Sequence, residues 1–340
     1  MRKRVLLVSP EYMGLYMDIQ RGIEDKGYEV IFVAQEHIPN NPYDLVYGER
    51  DRMSVKAFQE YLFSFWNKML DELSSESLWF DYLLVIDGLT FHSRLIERLR
   101  EVNPNILAVN YLFDRVNGVY QIDHNFKFFD KVFSFDCSDS KEYRLHFLPI
   151  YWIPSESKEM RTQVFGFGAY DETRMVVFKR IKQLLVAENI DFYIKMYHPK
   201  VKNKVKYFLK YWIKRVLNKN NNLSLRELNS DLFTNSSIPT NDFRKWINSC
   251  NVVIDTNHPY QDGLTARFMW ALGAGKRIIT NNCHVKDYAF YTEEQILVLE
   301  DNTTDNQILS FVKGDLVIPQ NIVAEIKKYR IDNWIETIFS

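Results

Sequence analysis

The chain has 340 residues, of which 46% are hydrophobic and 26% are charged, with only 12 glycines and 10 prolines. This composition excludes disordered, collagen-like and low-complexity proteins. At roughly 150 residues per domain, the length predicts two folded domains. The 43 Lys and Arg residues nearly balance the 44 Asp and Glu residues, which gives a formal net charge of −1. That balance argues against a nucleic acid as the partner, because nucleic-acid binders rely on excess positive charge.

The cysteines and the apolar runs indicate the compartment. Cys137, Cys250 and Cys283 are odd in number and too far apart for a zinc knuckle, as expected in a reducing cytoplasm. Near the start, the apolar run is confined to residues 5–8, which is too short for a signal peptide. No stretch reaches the about 18 uncharged apolar residues that a membrane-spanning helix needs. We therefore expect a cytoplasmic protein.

Short aliphatic runs alternate with helical patterns through the first half of the chain. This pattern predicts strands at residues 5–8, 30–34, 82–86, 106–109 and 131–135, and helices at 13–26, 55–73 and 93–102. Such alternation is typical of a parallel, doubly wound sheet. A polar Pro-Ser-Glu-Ser stretch begins at Pro154, and we place a domain boundary near residue 155.

The same alternation restarts in the second half. It predicts strands at residues 164–168, 192–195, 252–255 and 277–280, and helices at 173–189, 242–248 and 263–275. A polar segment, residues 218–241, is expected to be a loop with at most one short strand. An amphipathic helix is expected at 322–339. The predicted fold is α/β, with two Rossmann-like domains, 1–154 and 155–320, that face a cleft, and a C-terminal helix, 321–340, that crosses back toward the first domain.

The densest group of side chains that could bind a ligand or take part in a reaction is at residues 255–267. This segment follows a predicted buried strand and includes the start of a predicted helix. Ligands of open α/β sheets bind at such carboxyl ends of strands. Gly263 would allow close backbone approach, and the N–H groups from Leu264 onward would point outward. Thr265 and Arg267 add a hydroxyl and a bidentate cation. The segment could cradle a diphosphate, or it could be a capped turn with Arg267 in a surface ion pair.

A second group, with Lys195 and His198, lies at another strand end of the same half. These side chains could hold phosphate or sugar hydroxyls, or they could belong to a solvated loop. Gly166 and Gly168 lack the third glycine and the later acidic residue of a dinucleotide fingerprint. The sequence therefore argues against an NAD cofactor.

Acidic residues follow three predicted strands of the first half, namely Glu11, Asp87 and Asp114. Each could be a general base toward an acceptor hydroxyl, or a helix cap or salt-bridge partner. The sequence contains no Asp-x-Asp, so it does not support a metal-chelated nucleotide. We expect neither a metal nor a cofactor.

Residues 195–219 contain nine Lys or Arg residues and no acidic residue, interleaved with aromatic side chains. A basic aromatic helix can lie on an anionic membrane surface, or it can be a solvated face over an ordinary core stripe. The stretch leads us to expect peripheral contact with the inner face of the cell membrane.

The segment from Gln261 to Arg267, continued by Ala-Leu-Gly-Ala-Gly-Lys-Arg-Ile-Ile-Thr-Asn-Asn at 271–282, resembles a Q-x-G-L-T-x-R…E-A-L-x-x-G-K-K-I-I-T-x-N signature. That signature belongs to bacterial GT-B-type glycosyltransferase-like proteins of capsule, exopolysaccharide and lipopolysaccharide synthesis. Residues 111–114, 133–136 with Asp139, and 147–149 look like the matching N-terminal features, so the resemblance spans about residues 5–300. The chain departs from the pattern at Trp270, where the family usually has a Glu. In many GT-B enzymes an acidic residue on that helix grips the donor ribose.

The resemblance implies a glycosyltransferase that moves a sugar from a nucleotide-activated donor to a surface glycan or its lipid-linked precursor, without a required metal. The first domain would bind the acceptor, with Asp114 as the first candidate base and Asp87 or Glu11 in reserve. The second would bind the nucleotide sugar, through Lys195, His198, Gln261, Gly263, Leu264, Thr265 and Arg267. A nucleotide-sugar epimerase of the same architecture and a non-catalytic scaffold of a polysaccharide-assembly complex remain open alternatives.

The basic stretch generates a test of membrane contact. Replacing Lys204, Lys206, Lys210 and Lys214 by Gln should weaken co-sedimentation with anionic vesicles at low salt, because each cation near the headgroups contributes about 1 kcal/mol. The circular dichroism spectrum should stay unchanged. Undiminished vesicle binding would favour the solvated face.

Overall fold

The computed structural model describes residues 2–11, 14–35, 55–72, 78–88, 91, 92, 94–118, 122–154, 159–203, 205, 209, 223–257 and 261–340. The chain divides into two compact units. The first comprises Met1–Ile153, Gln261–Leu264 and Lys327–Ser340, and the second comprises Pro154–Tyr260 and Thr265–Ile326. The predicted boundary at residue 155 and most of the basic stretch, including Lys204, Lys206, Lys210 and Lys214, lie outside the described residues.

The first unit is built on a six-stranded parallel sheet in the order β2-β1-β3-β4-β5-β6. Its strands are β1 (Arg4–Ser9), β2 (Glu29–Ala34), β3 (Tyr82–Ile86), β4 (Leu107–Leu112), β5 (Lys131–Ser134) and β6 (His146–Phe147). The intervening helices are α1 (Leu15–Asp25), α2 (Val55–Glu72), α3 (Arg94–Val102) and α4 (Cys137–Tyr143). All five residues of β3 are buried, as expected of a central parallel strand covered on both faces.

The second unit repeats this plan in the order β12-β11-β10-β7-β8-β9, again with all pairings parallel. Its strands are β7 (Thr162–Ala169), β8 (Phe192–Tyr197), β9 (Phe233–Thr234), β10 (Cys250–Asp255), β11 (Arg277–Thr280) and β12 (Ile296–Val298). Its helices are α5 (Glu172–Ala187), α6 (Leu225–Leu228), α7 (Thr240–Asn248), α8 (Ala266–Gly273), α9 (Asp305–Lys313) and α10 (Gln320–Lys327). The sequence-based prediction of two parallel α/β sheets is confirmed.

Each unit has its own apolar core. In the first, Trp66 and Leu62 of α2 and Ile96 of α3 pack with the inward side chains of β1, β3 and β4. In the second, Phe178 and Ile181 of α5 pack with side chains of β7, β8 and β10. These cores hold the carboxyl ends of the central strands in fixed positions, and the candidate site residues follow those ends.

The end of the chain differs from the prediction of one helix over 322–339, which is wrong. The structure has α10, ending at Lys327, and a separate helix α11 (Ile331–Phe339). Between them the backbone extends, because the N–H of Trp152 donates to the carbonyl of Tyr329 at 3.0 Å and the N–H of Ile331 donates to the carbonyl of Trp152 at 2.9 Å. A partner distant in sequence therefore breaks a pattern that is helical throughout.

Helix α11 completes the core of the first unit. Trp334 is fully buried, with its ring 4.7 Å from that of Tyr111 and 5.1 Å from that of Tyr151, both edge-on. On α1, Gly22 allows close packing, since a Cβ there would lie 2.5 Å from Cδ1 of Ile335. In the sequence, the residues of α11 are thus separated by the whole second unit from the core residues that they contact.

The elements that were not predicted include α4, β6, α6, β12 and α9. Strand β12 has only three residues, which gives a run too short to be recognised as a strand. Helix α9 begins with a capping box in which Thr304 and Gln307 exchange side-chain to backbone hydrogen bonds. In the described part of the polar segment, the single short strand β9 agrees with the prediction of at most one strand, whereas the short helix α6 was not expected there.

The packing of α11 generates a stability prediction. Trp334→Ala should lower the free energy of unfolding of the first unit by about 3–5 kcal/mol, because the removed ring leaves a cavity. Thr337→Ala, on the exposed side of α11, is the matched control and should change it by less than about 0.5 kcal/mol. Urea unfolding with hydrogen exchange of β4 would measure both. Equal effects of the two variants would contradict the assignment.

Candidate functional site

The best-defined polar cluster of the second unit lies where β10 ends and α8 begins. Asp255, the last residue of β10, is 1% exposed. Its carboxylate Oδ1 accepts a hydrogen bond from the Thr265 hydroxyl at 2.8 Å and one from Nε of Arg267 at 2.6 Å. Thr265 is also the N-cap of α8, because its hydroxyl accepts the N–H of Phe268 at 3.1 Å. One carboxylate therefore fixes both the hydroxyl and the cation that the sequence singled out.

Arg267 is tied to the sheet by its remaining nitrogens. Nη1 donates to the carbonyl of Phe167 in β7, and Nη2 donates to the carbonyl of Thr256 at 3.4 Å. The side chain is only 12% exposed. The ion pair of Arg267 is therefore buried, and the alternative of a surface ion pair is corrected. Because a buried charge without a partner is costly, Asp255 and Arg267 each need the other.

A second arginine, which the sequence analysis missed, lies beside this pair. Arg174 of α5 donates from Nε to the hydroxyl of Thr256 at 2.7 Å, from Nη2 to the Thr256 carbonyl at 3.4 Å, and from Nη1 to the carbonyl of Ala169. Gly168 makes room for it, since a Cβ at that position would lie 2.7 Å from the guanidinium carbon. Gly168 of β7 thus accommodates the side chain of Arg174.

Asp255 forms an ion pair with Arg267, and its negative charge also acts on Arg174. Burial, and then the charge of Arg267, lower the pKa of Arg174 to about 10, while Asp255 and Asp171 act in the opposite direction without offsetting them. In the described residues, the hydrogen-bond acceptors around Arg174 are neutral oxygens. Arg174 is therefore a half-buried cation in surroundings that disfavour its charge, and an anion bound nearby would relieve that cost.

Lys195 and His198 occupy different places on β8. Lys195 lies inside the strand, paired in register with Phe167, and its ammonium donates to the carbonyl of Asp231. His198 follows the strand at the carboxyl edge of the sheet, where its backbone N–H donates to the carbonyl of Thr234 at 2.9 Å. Its ring is 6.3 Å from that of Tyr170. Of Lys195 and His198, only His198 lies at the carboxyl edge of the sheet, where Asp255 ends β10.

The predicted residues Gln261, Gly263 and Leu264 belong to the first unit. There, Oδ2 of the fully buried Asp136 accepts the N–H groups of Asp262 at 2.9 Å and of Gly263 at 2.8 Å. A Cβ on Gly263 would lie 2.6 Å from the ring of Phe135. The expectation that Gly263 allows close approach of a ligand is therefore corrected. Gly263 lies close to Phe135, and its N–H group already donates to Asp136.

Helix α8 also begins later than predicted, at Ala266 rather than residue 263. Trp270, at the position where the resemblance leads one to expect Glu, is 6% exposed and packs under the guanidinium of Arg244, whose carbon lies 4.4 Å from the ring centre. Position 270 therefore holds a buried aromatic side chain that contributes to packing between α7 and α8.

The acidic candidates of the first unit follow neighbouring strands. Asp87 follows β3 and accepts the backbone N–H groups of Phe113 at 2.6 Å and Asp114 at 3.3 Å through Oδ1. Burial, and then the charge of Asp114, raise the pKa of Asp87 to about 7. Glu11 is exposed after β1, and its carbonyl accepts the N–H of Gly14 at 3.0 Å. The structure thus brings Asp87 and Asp114 together.

Metal ligands and cavities add little to these clusters. In the part of the chain that the structure describes, no group of three or more His, Cys, Asp or Glu side chains could hold a metal ion. Nor is any described helix long and apolar enough to cross a membrane. An open cavity of about 520 Å³ in the second unit is lined by residues of β12 and α9 and by Tyr291, and it includes none of the predicted donor ligands.

Solved structures resemble this architecture over nearly the whole chain. The N-terminal domain of trehalose-6-phosphate phosphatase from Candida albicans has a TM-score of 0.60 at 12% identity, covering 100% of this chain and 96% of that one. A UDP-forming α,α-trehalose-phosphate synthase from Burkholderia xenovorans gives 0.59 at 11%, covering 99% and 98%. AviGT4, a glycosyltransferase of avilamycin A biosynthesis, gives 0.54 at 11%, covering 98% and 95%.

The chain has the GT-B fold. Its two parallel six-stranded sheets correspond to the two Rossmann-like domains of these neighbours. At this level of identity the likeness extends to the fold alone. No protein-family model matches the chain, and no curated protein is similar to it in sequence.

Within this GT-B fold, the missed Arg174 carries a signal that could have been recognised. Asp171 caps α5 by accepting the N–H of Arg174 at 3.1 Å, so Arg174 lies in the first turn of a helix that follows a glycine-containing strand. An arginine in the first turn of a helix opposes the helix dipole. Such a placement is unfavourable unless something else requires the cation there.

The Asp255–Arg267 pair generates a prediction on stability. Asp255→Asn or Arg267→Met alone should each lower the free energy of unfolding by about 3–5 kcal/mol, because each leaves a buried charge unpaired. The double variant should cost clearly less than the sum. The exposed pair of Arg180 and Asp305 is the control, with an expected coupling below about 1 kcal/mol. Additive losses at Asp255 and Arg267 would contradict a structural pair.

Proposed function

We propose that this protein is a glycosyltransferase that moves a sugar from a nucleotide-activated donor to an acceptor hydroxyl. The second unit would bind the donor and the first unit would bind the acceptor. The GT-B fold, and the neighbours whose names include a UDP-forming synthase and a glycosyltransferase, support this reaction class.

The observation that carries the proposal is the pair of arginines at the carboxyl ends of β7 and β10. In glycosyl transfer from a nucleotide donor, negative charge develops on the leaving diphosphate, and stabilising that charge is the largest electrostatic demand. Among the residues that the structure describes, the acceptors within hydrogen-bond distance of Arg174 are neutral oxygens, and its pKa is lowered to about 10. A diphosphate bound beside it would supply the missing negative charge.

The other candidate ligands would act around these two cations. Arg267 is held by Asp255, so it would present a fixed guanidinium to the phosphates rather than a mobile one. Thr265 and His198 would contribute polar groups at the same edge of the sheet. Lys195, whose ammonium is engaged by the Asp231 carbonyl, would have to leave that contact in order to bind the donor.

Asp114 is the proposed base on the acceptor side, with Asp87 and Glu11 as alternatives. Asp114 is exposed, so an acceptor hydroxyl can approach its carboxylate. The base would take the hydroxyl proton while the oxygen attacks the anomeric carbon of the sugar. The nucleoside diphosphate would leave with the electrons of the broken bond.

The resemblance of residues 261–282 to proteins of surface-polysaccharide synthesis supports a proposal for the acceptor. We propose a growing surface glycan or its lipid-linked precursor, reached at the inner face of the cell membrane in the cytoplasm. We also propose that no metal is needed, because the arginines would neutralise the diphosphate.

Arg174→Gln tests the proposal. The variant should weaken binding of nucleoside diphosphates about ten- to a hundredfold, because a charge-assisted contact contributes roughly 1.5–3 kcal/mol. Binding of the parent nucleosides should hardly change. Isothermal titration calorimetry against the common nucleoside diphosphates measures both. Arg267→Ala is a poorer probe, since it also removes the partner of Asp255.

The matched control is Arg180→Gln on the same helix, which removes an exposed cation paired with Asp305. It should leave nucleotide binding unchanged. If the wild-type protein binds no nucleoside diphosphate, or if Arg174→Gln and Arg180→Gln behave alike, the donor site assigned here is wrong.

A further inference from the structure

The open cavity of the second unit lies outside the polar clusters used so far. Its volume is about 520 Å³, and it is lined by residues of β12, of α9 and of the loops before and after β12. Pockets that bind small molecules have volumes of about 300–1,000 Å³. Arg174 and Arg267 do not line this cavity, so a ligand bound in it would occupy a second site.

Helix α9 presents uncharged polar side chains to the cavity. Asn306 and Ser310 line it and are exposed, and they lie on the same face of the helix because they are one turn apart. The charged residues Asp305 and Lys313 instead form ion pairs with side chains of α5 and its C-cap, at 2.8 and 2.7 Å. An amide or a hydroxyl can both donate and accept. The face of α9 toward the cavity can therefore form hydrogen bonds of both kinds without a net charge.

The turn before α9 is anchored by its own hydrogen bonds. Thr303 is buried, and its hydroxyl accepts the backbone N–H of Glu300 at 2.8 Å. Thr304 and Gln307 form the capping box at the start of the helix. Asn302, an exposed residue of this turn, also lines the cavity. The polar groups on this side are thus carried by a fixed backbone, which lowers the cost of ordering them on binding.

Apolar and aromatic side chains line the cavity as well. Leu297 of β12 and Phe311 of α9 are half-buried and form part of the lining. Tyr291 adds a ring and a hydroxyl. Burial, and then the charge of Glu293, raise the pKa of Tyr291, so the hydroxyl keeps its proton and can donate. The cavity combines apolar surface with neutral donors and acceptors.

The charged residues of the lining disfavour an anion. They are Lys286, Glu293 and Glu300, which give one positive and two negative charges. The ammonium of Lys286 is already paired with the carboxylate of Glu300. A nucleoside diphosphate would therefore meet a net negative charge in this cavity.

An extended peptide is also a poor fit, although β12 is an edge strand. In the part of the chain that the structure describes, β12 pairs with β11 alone, and it has only three residues. Short edge strands with charged side chains nearby resist pairing with another chain. The cavity suits a neutral ligand rich in hydroxyl groups better than a strand of peptide.

We propose that this cavity is a binding site for a neutral carbohydrate. A sugar ring has hydroxyl groups around its edge and C–H groups on its faces. The hydroxyls exchange hydrogen bonds with Asn302, Asn306 and Ser310, and the C–H groups pack against Leu297 and Phe311. The inference goes beyond the proposed function, because this second site needs neither a nucleotide nor a transfer reaction.

Nitrogen-15 NMR of the full chain tests the site, because the side-chain NH₂ groups of Asn302 and Asn306 give their own signals. The probes are the neutral trisaccharides maltotriose, cellotriose, mannotriose and chitotriose. At least one of them should shift both signals in a saturable way. The double variant Asn306→Ala/Ser310→Ala should weaken that trisaccharide's binding by about tenfold, measured on Asn302, because two hydrogen bonds are lost. Both residues are exposed, so the fold should be retained.

Asn241→Ala is the matched control. Asn241 is exposed and is the second residue of α7, as Asn306 is of α9, but it does not line the cavity. This variant should bind the trisaccharide as the wild type does. If it weakens binding as much as the double variant, the cavity is not the site.

Uridine diphosphate is the probe that separates this inference from the proposed function. It should leave the signals of Asn302 and Asn306 in place, whether or not it binds near Arg174. The carbohydrate site is overturned if no trisaccharide shifts these signals, or if uridine diphosphate shifts them and the sugars do not. Failure of Arg174→Gln to weaken nucleotide binding would remove the proposed donor site and leave the carbohydrate site untouched.

Discussion

The buried ion pair between Asp255 and Arg267 is the constraint around which the second unit is organised at its polar edge. A carboxylate that is 1% exposed requires a cation, and Arg267 supplies it at 2.6 Å. The same carboxylate binds the hydroxyl that caps α8, and the same guanidinium reaches the carbonyl of Phe167 in β7. Two strands and a helix are thereby joined through one pair of charges. Any role of Arg267 toward a ligand must be compatible with this structural role, because its position is already determined before a ligand arrives.

Near the carboxyl ends of the central strands, the second unit has two arginines and the first unit has two aspartates. In the second, Arg174 lies near the ion pair of Arg267 and Asp255, and burial together with the charge of Arg267 lowers the pKa of Arg174. In the first, Asp87 and Asp114 lie together, and burial together with the charge of Asp114 raises the pKa of Asp87. Perturbed groups of this kind cluster at functional sites because the surroundings have not been arranged for stability alone. In the proposed reaction, an anionic donor would bind near the arginines of the second unit, and an acceptor hydroxyl would bind near the aspartates of the first unit.

The sequence predicted the features that depend on local pattern. Central parallel strands are covered on both faces, so they read as continuous apolar runs such as Tyr82-Leu83-Leu84-Val85-Ile86, and both sheets were recognised from them. What it could not reveal depends on partners far along the chain. The break before α11 follows from hydrogen bonds to Trp152, and the approach of Gly263 to its neighbours follows from Asp136, 127 residues earlier. The surroundings of Arg174 were not predicted for the same reason, since the hydroxyl that accepts its Nε belongs to Thr256, 82 residues later.

The placement of α11 has a consequence for how the protein is made. Trp334 packs against Tyr151 and Tyr111, which are synthesised about 180 and 220 residues earlier. At about 5–20 residues per second, translation needs roughly 10–45 s to cover these distances. During this interval the first unit emerges with an apolar surface where the helix will dock, while the second unit has all of its strands available before α11 appears. The core of the first unit can therefore be completed only after strands β7 to β12 of the second unit have been synthesised.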